Sequence, residues 1–266
     1  MPMEDRAGQP TFWQTYGDGP RPALAIHCSL ASSAAWSGAA GRLADRLTLT
    51  AFDLPGHGRS ADWDGQGDFL MLSTAIAASF VDAPVDLIGH SFGAVTALGL
   101  AIAMPEAMRS LTLVEPVLFA AAKGFPEWDE HRREMAEFDR AVAEGRAEAA
   151  AQAFTRVWGT GVDWHEMSAG SRDDVTRHIH LIAAGTSALF EDSGGILAQG
   201  ALEMLDMPVM LIQGDRSPTI ISRIADVIAA RLPDVGVATV PGAGHMVPIT
   251  HPAETAGLIG VNLDRG

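Results

Sequence analysis

Short apolar runs alternate along the chain with stretches of helical spacing, and small, polar or glycine-rich segments separate them. Ala23-Leu24-Ala25-Ile26-His27 is short and apolar enough for a buried parallel strand. Ala34–Leu47 repeats its apolar positions at helical spacing and predicts a helix. Thr48–Phe52 then predicts a strand, Phe69–Val81 a helix, Val85–Ile88 a strand, Phe92–Met104 a helix stopped by Pro105, and Leu111–Val114 a strand. Upstream, Thr11–Tyr16 reads as a short edge strand followed by the turn residues Gly17-Asp18-Gly19-Pro20, while residues 1–10 carry Pro, Gly and charge without period and read as loose. The order β-α-β-α-β-α-β predicts the α/β class, a doubly wound and mostly parallel sheet.

From Val117 the pattern changes. Glu127–Glu144 and Ala147–Trp158 are long, charged, alanine-rich and amphipathic; Ser171–Leu189 reads as a third helix and Gly194–Leu205 as a fourth. Beyond Pro208 the alternation resumes with a strand at Val209–Ile212, a helix at Ile220–Arg231, a strand at Val235–Val240 and a closing helix over Pro252–Leu263. The division that follows is a sheet-forming core, 11–116 with 206–266, and an inserted helical cap, 117–205, over the sheet end that carries ligand chemistry.

Composition narrows the partners. At 266 residues, 47% hydrophobic and 19% charged, the chain has globular composition. Its formal charge of −15, with only 18 scattered Lys and Arg, argues against nucleic acid or an anionic membrane and leaves a small-molecule substrate. The longest uncharged stretch, Leu87–Pro105, approaches the length of a membrane span, yet it contains Gly-His-Ser-Phe-Gly at a strand-to-helix junction and fits an α/β core better. A single cysteine, Cys28, excludes an intramolecular disulfide, and Met-Pro-Met-Glu-Asp-Arg at the start is not a signal sequence, so a cytoplasmic location is expected.

The chemistry centres on Gly89-His90-Ser91-Phe92-Gly93, a G-x-S-x-G pattern between a strand and a helix. So tight a turn holds the Ser91 hydroxyl out from the sheet at a helix N-terminus, and the two glycines let strand and helix approach. Serine needs a base, and the base needs an orienting carboxylate. Pro241-Gly242-Ala243-Gly244-His245 follows the last predicted strand and supplies His245 as the base. Cys28 has no glycine elbow around it and is disfavoured as a nucleophile.

Four local matches in the right order, His27-Cys28-Ser29-Leu30 with Trp36, the Asp53–Ser60 loop, Gly89–Gly93 and Gly244-His245, resemble the α/β-hydrolase-fold superfamily with a helical cap. The resemblance spans residues 11–263 and implies a serine, acid, histidine order. Members usually carry the acid three residues after the glycine that ends the strand at Leu211–Gly214, a position held here by Ser217. Asp215 is one residue past that glycine. Another branch, similar to some haloalkane dehalogenases, places the acid at the end of the preceding strand, here Leu113-Val114-Glu115-Pro116. Glu115 follows an apolar run and needs a partner such as histidine, so Glu115 is the preferred acid and Asp215 the alternative. The resemblance assigns the oxyanion hole to the N–H groups of Phe92 and Ser29, has Cys28 where many members carry glycine, makes His27 and His57 loop-bonding residues, sets His90 beside the elbow, and implies no cofactor.

Other histidines invite a metal site. His178 and His180, which with His165 and His131 suggest one, lie about 200° apart around a helix and do not converge on one ion. Trp128, Trp158 and Trp164 either line the cap side of a pocket or pack the cap onto the core, and charge-dense Glu127–Arg146 reads as a solvated helix face. The expected function is a serine hydrolase acting on a small ester, thioester or lactone through an acyl-enzyme. The alternatives are a carbon–carbon hydrolase, lyase or perhydrolase with the same triad, or a non-catalytic ligand receptor.

Overall fold

A computed structural model describes residues 3–266; residues 1 and 2 of the segment expected to be loose lie outside them. Strands β1 (Met3–Arg6), β2 (Gln9–Tyr16), β3 (Arg21–Ile26), β4 (Leu47–Phe52), β5 (Val85–His90), β6 (Met108–Val114), β7 (Val209–Gly214) and β8 (Val235–Val240) form one sheet. Its spatial order is β1-β2-β4-β3-β5-β6-β7-β8. Strands β1 and β2 pair antiparallel, as do β2 and β4, and every pairing from β4 to β8 is parallel.

Side-chain alternation sorts the apolar strand residues onto two faces. Leu24, Ile26, Leu87, Leu111, Leu113, Val209 and Leu211 point to one core, whereas Ala23, Ala25, Ile88, Val114, Met210 and Ile212 point to the other. Helix α1 (Ser37–Ala40) covers the second face together with α12 (Pro252–Leu263), and α2 (Phe69–Ala78) and α3 (Phe92–Ala103) cover the first. Both faces are therefore buried, which is why the central strands read as unbroken apolar runs.

Between β6 and β7 the chain is helical: α4 (Pro126–Glu134), α5 (Ala136–Ala143), α6 (Ala147–Trp158), α7 (Ala169–His178), α8 (Leu181–Ala184) and α9 (Thr186–Glu191). Then α10 (Thr219–Ala229) follows β7, and the one-turn α11 (Val247–Thr250) precedes α12. The apolar residues of the helical segment continue the first core without a break. Polar clamps fix it at two places: Arg223 and Thr219 of α10 bond Glu127 and Glu130 of α4, both at 2.8 Å, and Asp68 accepts the Ser193 hydroxyl at 2.7 Å. Among the described residues no helix is long and apolar enough to cross a membrane.

The structure corrects five sequence expectations. Residues 3–10 are ordered as a hairpin, because Ala7 and Gly8 both take positive φ (54° and 84°) in a two-residue turn and the Arg6 guanidinium stacks over Trp13 and Phe80. Ala34–Leu47 is not one helix but a 3-10 turn and the four-residue α1, since the carbonyls of Ala44, Arg46 and Leu47 accept N–H groups from residues 18–21 instead of helical partners. The long helices expected at Glu127–Glu144 and Ser171–Leu189 are broken, the first at Met135, whose side chain turns inward to Trp158, and the second at Ile179-His180 and again at Gly185, which packs against the Phe92 ring. Gly194–Leu205 forms turns and no helix, because the Asp192 carboxylate takes the N–H groups of Ile196 and Leu197 and Gly195 and Gly200 adopt positive φ.

Candidate active site

The elbow is built by close backbone approach. A Cβ on Gly89 would lie 2.3 Å from the Gly93 carbonyl oxygen, and one on Gly93 would lie 2.3 Å from that of Ile26, so neither position admits a side chain. Between them Ser91 is held at φ 57° and ψ −118°, a strained conformation fixed by its N–H bond to Val114 O (2.9 Å) and by Ala94 N–H bonding its carbonyl (3.0 Å). The result is a hydroxyl above the sheet at the start of α3, 7% exposed.

Parallel register sets its neighbour. His90 pairs with Val114 and Val114 with Ile212, so the first residues beyond β5 and β6 stand side by side. Those residues are Ser91 and Glu115. Glu115 is also at positive φ (52°), anchored by its N–H to Ile212 O at 2.8 Å. Two adjacent strand ends thus each carry a strained polar residue.

His245 lies between them. Its Nε2 is 2.9 Å from Ser91 Oγ and its Nδ1 is 2.9 Å from Glu115 Oε2. The other carboxylate oxygen, Oε1, accepts Gly214 N–H at 2.6 Å and the Ser217 hydroxyl at 2.8 Å. Ser217, three residues beyond the glycine that ends β7, thus donates to the carboxylate at the end of β6. Asp215 is exposed and does not reach His245; its carboxylate accepts Gly242 N–H at 2.7 Å and braces the loop that carries the histidine. His90 Nε2 donates to the His245 carbonyl at 2.9 Å and steadies the same loop from below.

Electrostatics follow from burial. Burial pushes His245 well below the usual imidazole range, which leaves it uncharged and able to accept a proton at Nε2. Burial pushes Glu115 up, and the Gly214 N–H and Ser217 hydroxyl pull it back down.

The peptide expected to complete an oxyanion hole is itself held. His27 Nε2 accepts Leu54 N–H at 2.9 Å, so its proton is on Nδ1 and is donated to Cys28 O at 2.7 Å. Across a trans peptide the Ser29 N–H points opposite to that carbonyl. Ser29 and Phe92 both line the cavity at Ser91, and Phe92, as the first residue of α3, has an N–H with no intrahelical acceptor. His57 likewise bonds loop backbone, at Pro55 O (2.9 Å).

A cavity of about 700 Å³ opens over these groups, within the range of small-molecule sites. Its floor includes Cys28, Ser29, Ser91, Phe92, His245 and Met246; its roof comes from the helical segment. Trp158 touches the edge of the His245 ring (centroids 4.7 Å, 74°). Trp128 also lines the cavity, whereas Trp164 packs in the apolar core outside it. Of the remaining histidines, His178 and His180 bond the carbonyls of Asp174 and Arg177. His131, in sequence only a candidate metal ligand, belongs to the cavity wall. No local sequence signal marks it, because its ring neighbours Phe119, Trp158 and Phe190 come together only on folding.

A model of the alpha/beta hydrolase family matches residues 23–258. The chain belongs to the alpha/beta hydrolase family. Among curated relatives, this alpha/beta hydrolase is 29% identical over 255 residues to a pimeloyl-[acyl-carrier protein] methyl ester esterase of Methylococcus capsulatus, covering 93% of this chain and 96% of that protein. A second of the same name, from Sodalis glossinidius, is 27% identical over 250 residues, covering 91% and 93%. Among solved structures, bromoperoxidase from Bacillus anthracis superimposes with a TM-score of 0.77 at 18% identity, covering 96% of each chain, a likeness of fold.

Proposed function

We propose that this alpha/beta hydrolase is a serine esterase that cleaves a small carboxylic ester through an acyl-enzyme. The observation that carries the reading is His245 bridging Ser91 and Glu115 with both contacts at 2.9 Å. Ser91 Oγ attacks the ester carbonyl carbon while His245 Nε2 takes its proton. The N–H groups of Phe92 and Ser29 bond the resulting oxyanion. The carbon–oxygen bond to the alcohol breaks, and His245 returns the proton to the departing oxygen. Water then attacks the acyl-serine with His245 again as base, releasing the acid and restoring the Ser91 hydroxyl. Throughout, Glu115 orients the imidazole and stabilises its cationic form, with Asp215 left to brace the loop.

The names of the relatives support an ester as the substrate and make methyl esters of medium-length acids the first compounds to test. The mainly apolar cavity suits an uncharged acyl chain. A lone buried cysteine suits a reducing compartment such as the cytoplasm. Mass spectrometry after treatment with a serine-directed phosphonate is expected to find one adduct, on Ser91, accompanied by loss of methyl ester hydrolysis. An unmodified Ser91 in folded, ester-hydrolysing protein would overturn the reading.

A further inference from the structure

The cavity roof holds a polar group that the ester chemistry does not use. His131, on α4, is 2% exposed and lines the cavity, and its Nδ1 is buried without a hydrogen-bond partner among the described residues. Its ring is set among aromatic rings: Phe119 at 4.5 Å and 23°, Phe190 at 6.2 Å and 15°, and the edge of Trp158 at 5.6 Å. Trp158 in turn touches His245. Two ring contacts therefore separate His131 from the base, placing it several bonds from the carbonyl of an ester docked at Ser91.

Burial, with a smaller contribution from Arg132, pushes the imidazole down to about 4, so near neutral pH it is uncharged, with one N–H donor and one acceptor nitrogen. The cationic residues of the same cavity have their own partners: Arg132 pairs with Asp139 at 3.3 Å, Arg146 with Glu144, and Lys123 Nζ lies 5.7 Å from the centroid of the Trp128 ring. With Nδ1 sealed from the cavity, the nitrogen that a ligand reaches is Nε2, and an N–H left unpaired there among rings is costly until a ligand supplies its acceptor. An uncharged oxygen meets that need without bringing a bare charge into an aromatic cage.

We propose that His131 is a specificity-determining anchor that donates its ring N–H to a carbonyl or hydroxyl oxygen remote from the scissile bond. The preferred substrate is then an ester bearing a second, uncharged oxygen function, and a plain alkyl ester is the poorer ligand. This rests on Ser91 being the point at which the ester docks.

Binding to the Ser91→Ala protein tests the proposal without turnover, read by the fluorescence of Trp128 and Trp158 in the cavity wall. The probes are pairs of methyl esters that differ only by a ketone in place of a methylene, stepped along the acyl chain, and matching pairs with the ketone on the alcohol side. One oxo position is expected to bind about tenfold tighter than its all-carbon partner, the effect of one good neutral hydrogen bond. The ratio within that pair should fall to about one in Ser91→Ala/His131→Phe, where an aromatic ring still fills the cage. His131→Leu replaces it if the Phe variant does not fold. Absence of any oxo preference, or a preference that survives loss of the imidazole, overturns the proposal. Hydrolysis of the same pairs by the Ser91 protein reads the esterase assignment separately: a His131-dependent binding preference without turnover leaves His131 standing and rejects the esterase.

Discussion

The two walls of the cavity are built on opposite principles. On the sheet side, strained residues at φ 57° and 52° are held by parallel register, and each functional side chain has its hydrogen-bond partner: Ser91 with His245, His245 with Glu115, and Glu115 with Gly214 and Ser217. On the side of the inserted helices the surface is aromatic, held by ring packing, and its buried histidine has an unpartnered nitrogen. A wall with its polar atoms paired can carry one fixed chemistry, because any displacement breaks several bonds at once. A wall of rings around a histidine with an unpartnered nitrogen is, on the proposal above, the one that discriminates among substrates while leaving that chemistry in place.

Substitutions on the sheet side should therefore act on kcat, those on the roof on substrate preference. The largest effect expected is Glu115→Gln, which leaves a neutral amide unable to stabilise an imidazolium; steady-state kinetics should show kcat lower by about a thousandfold to ten-thousandfold. Asp215→Asn, which touches only the Gly242 N–H, should change kcat by less than about tenfold. The reverse ranking would move the acid to Asp215 and break the account of the sheet-side wall. Ser217→Ala removes one of the donors to Glu115 and should lower kcat by about tenfold with KM little changed; a pure KM effect would mean that the hydroxyl serves the substrate and not the carboxylate. The smallest effect concerns Cys28 on the cavity floor. Burial pushes its thiol up to about 12, so at pH 8 only about one molecule in ten thousand carries the thiolate. Mass spectrometry should find Cys28 unmodified after iodoacetamide treatment of folded protein, and rapid alkylation there would show that the floor opens.

The parts of the fold legible in the sequence were those where local chemistry and burial agree. The strands at Ala23–His27, Val85–Ile88 and Val209–Ile212 lie buried on both faces, so their apolar runs carried the whole signal. Helix boundaries in 117–205 were less legible: Met135, Gly185 and Asp192 interrupt helical spacing through contacts with Trp158, Phe92 and the backbone of Ile196. The opening hairpin was hidden because its first strand, Met3–Arg6, lies at an exposed edge with no apolar period to reveal it.

Sequence alone was enough to single out Ser91 and His245 as candidates, because a glycine elbow and a glycine-rich strand-end loop are local backbone requirements written into neighbouring residues. It left the acid open between Glu115 and Asp215, since both follow strands and both are carboxylates. The contact at 2.9 Å between Glu115 and His245 depends on the register of β5, β6 and β7 and on Ser217 donating to the same carboxylate. The environment of His131 is likewise a product of packing, with Phe119, Trp158 and Phe190 meeting it from separate parts of the insertion. Which side chains share a site is set by contacts between residues far apart in the chain, and those are settled when the sheet and its helical insertion close on one another.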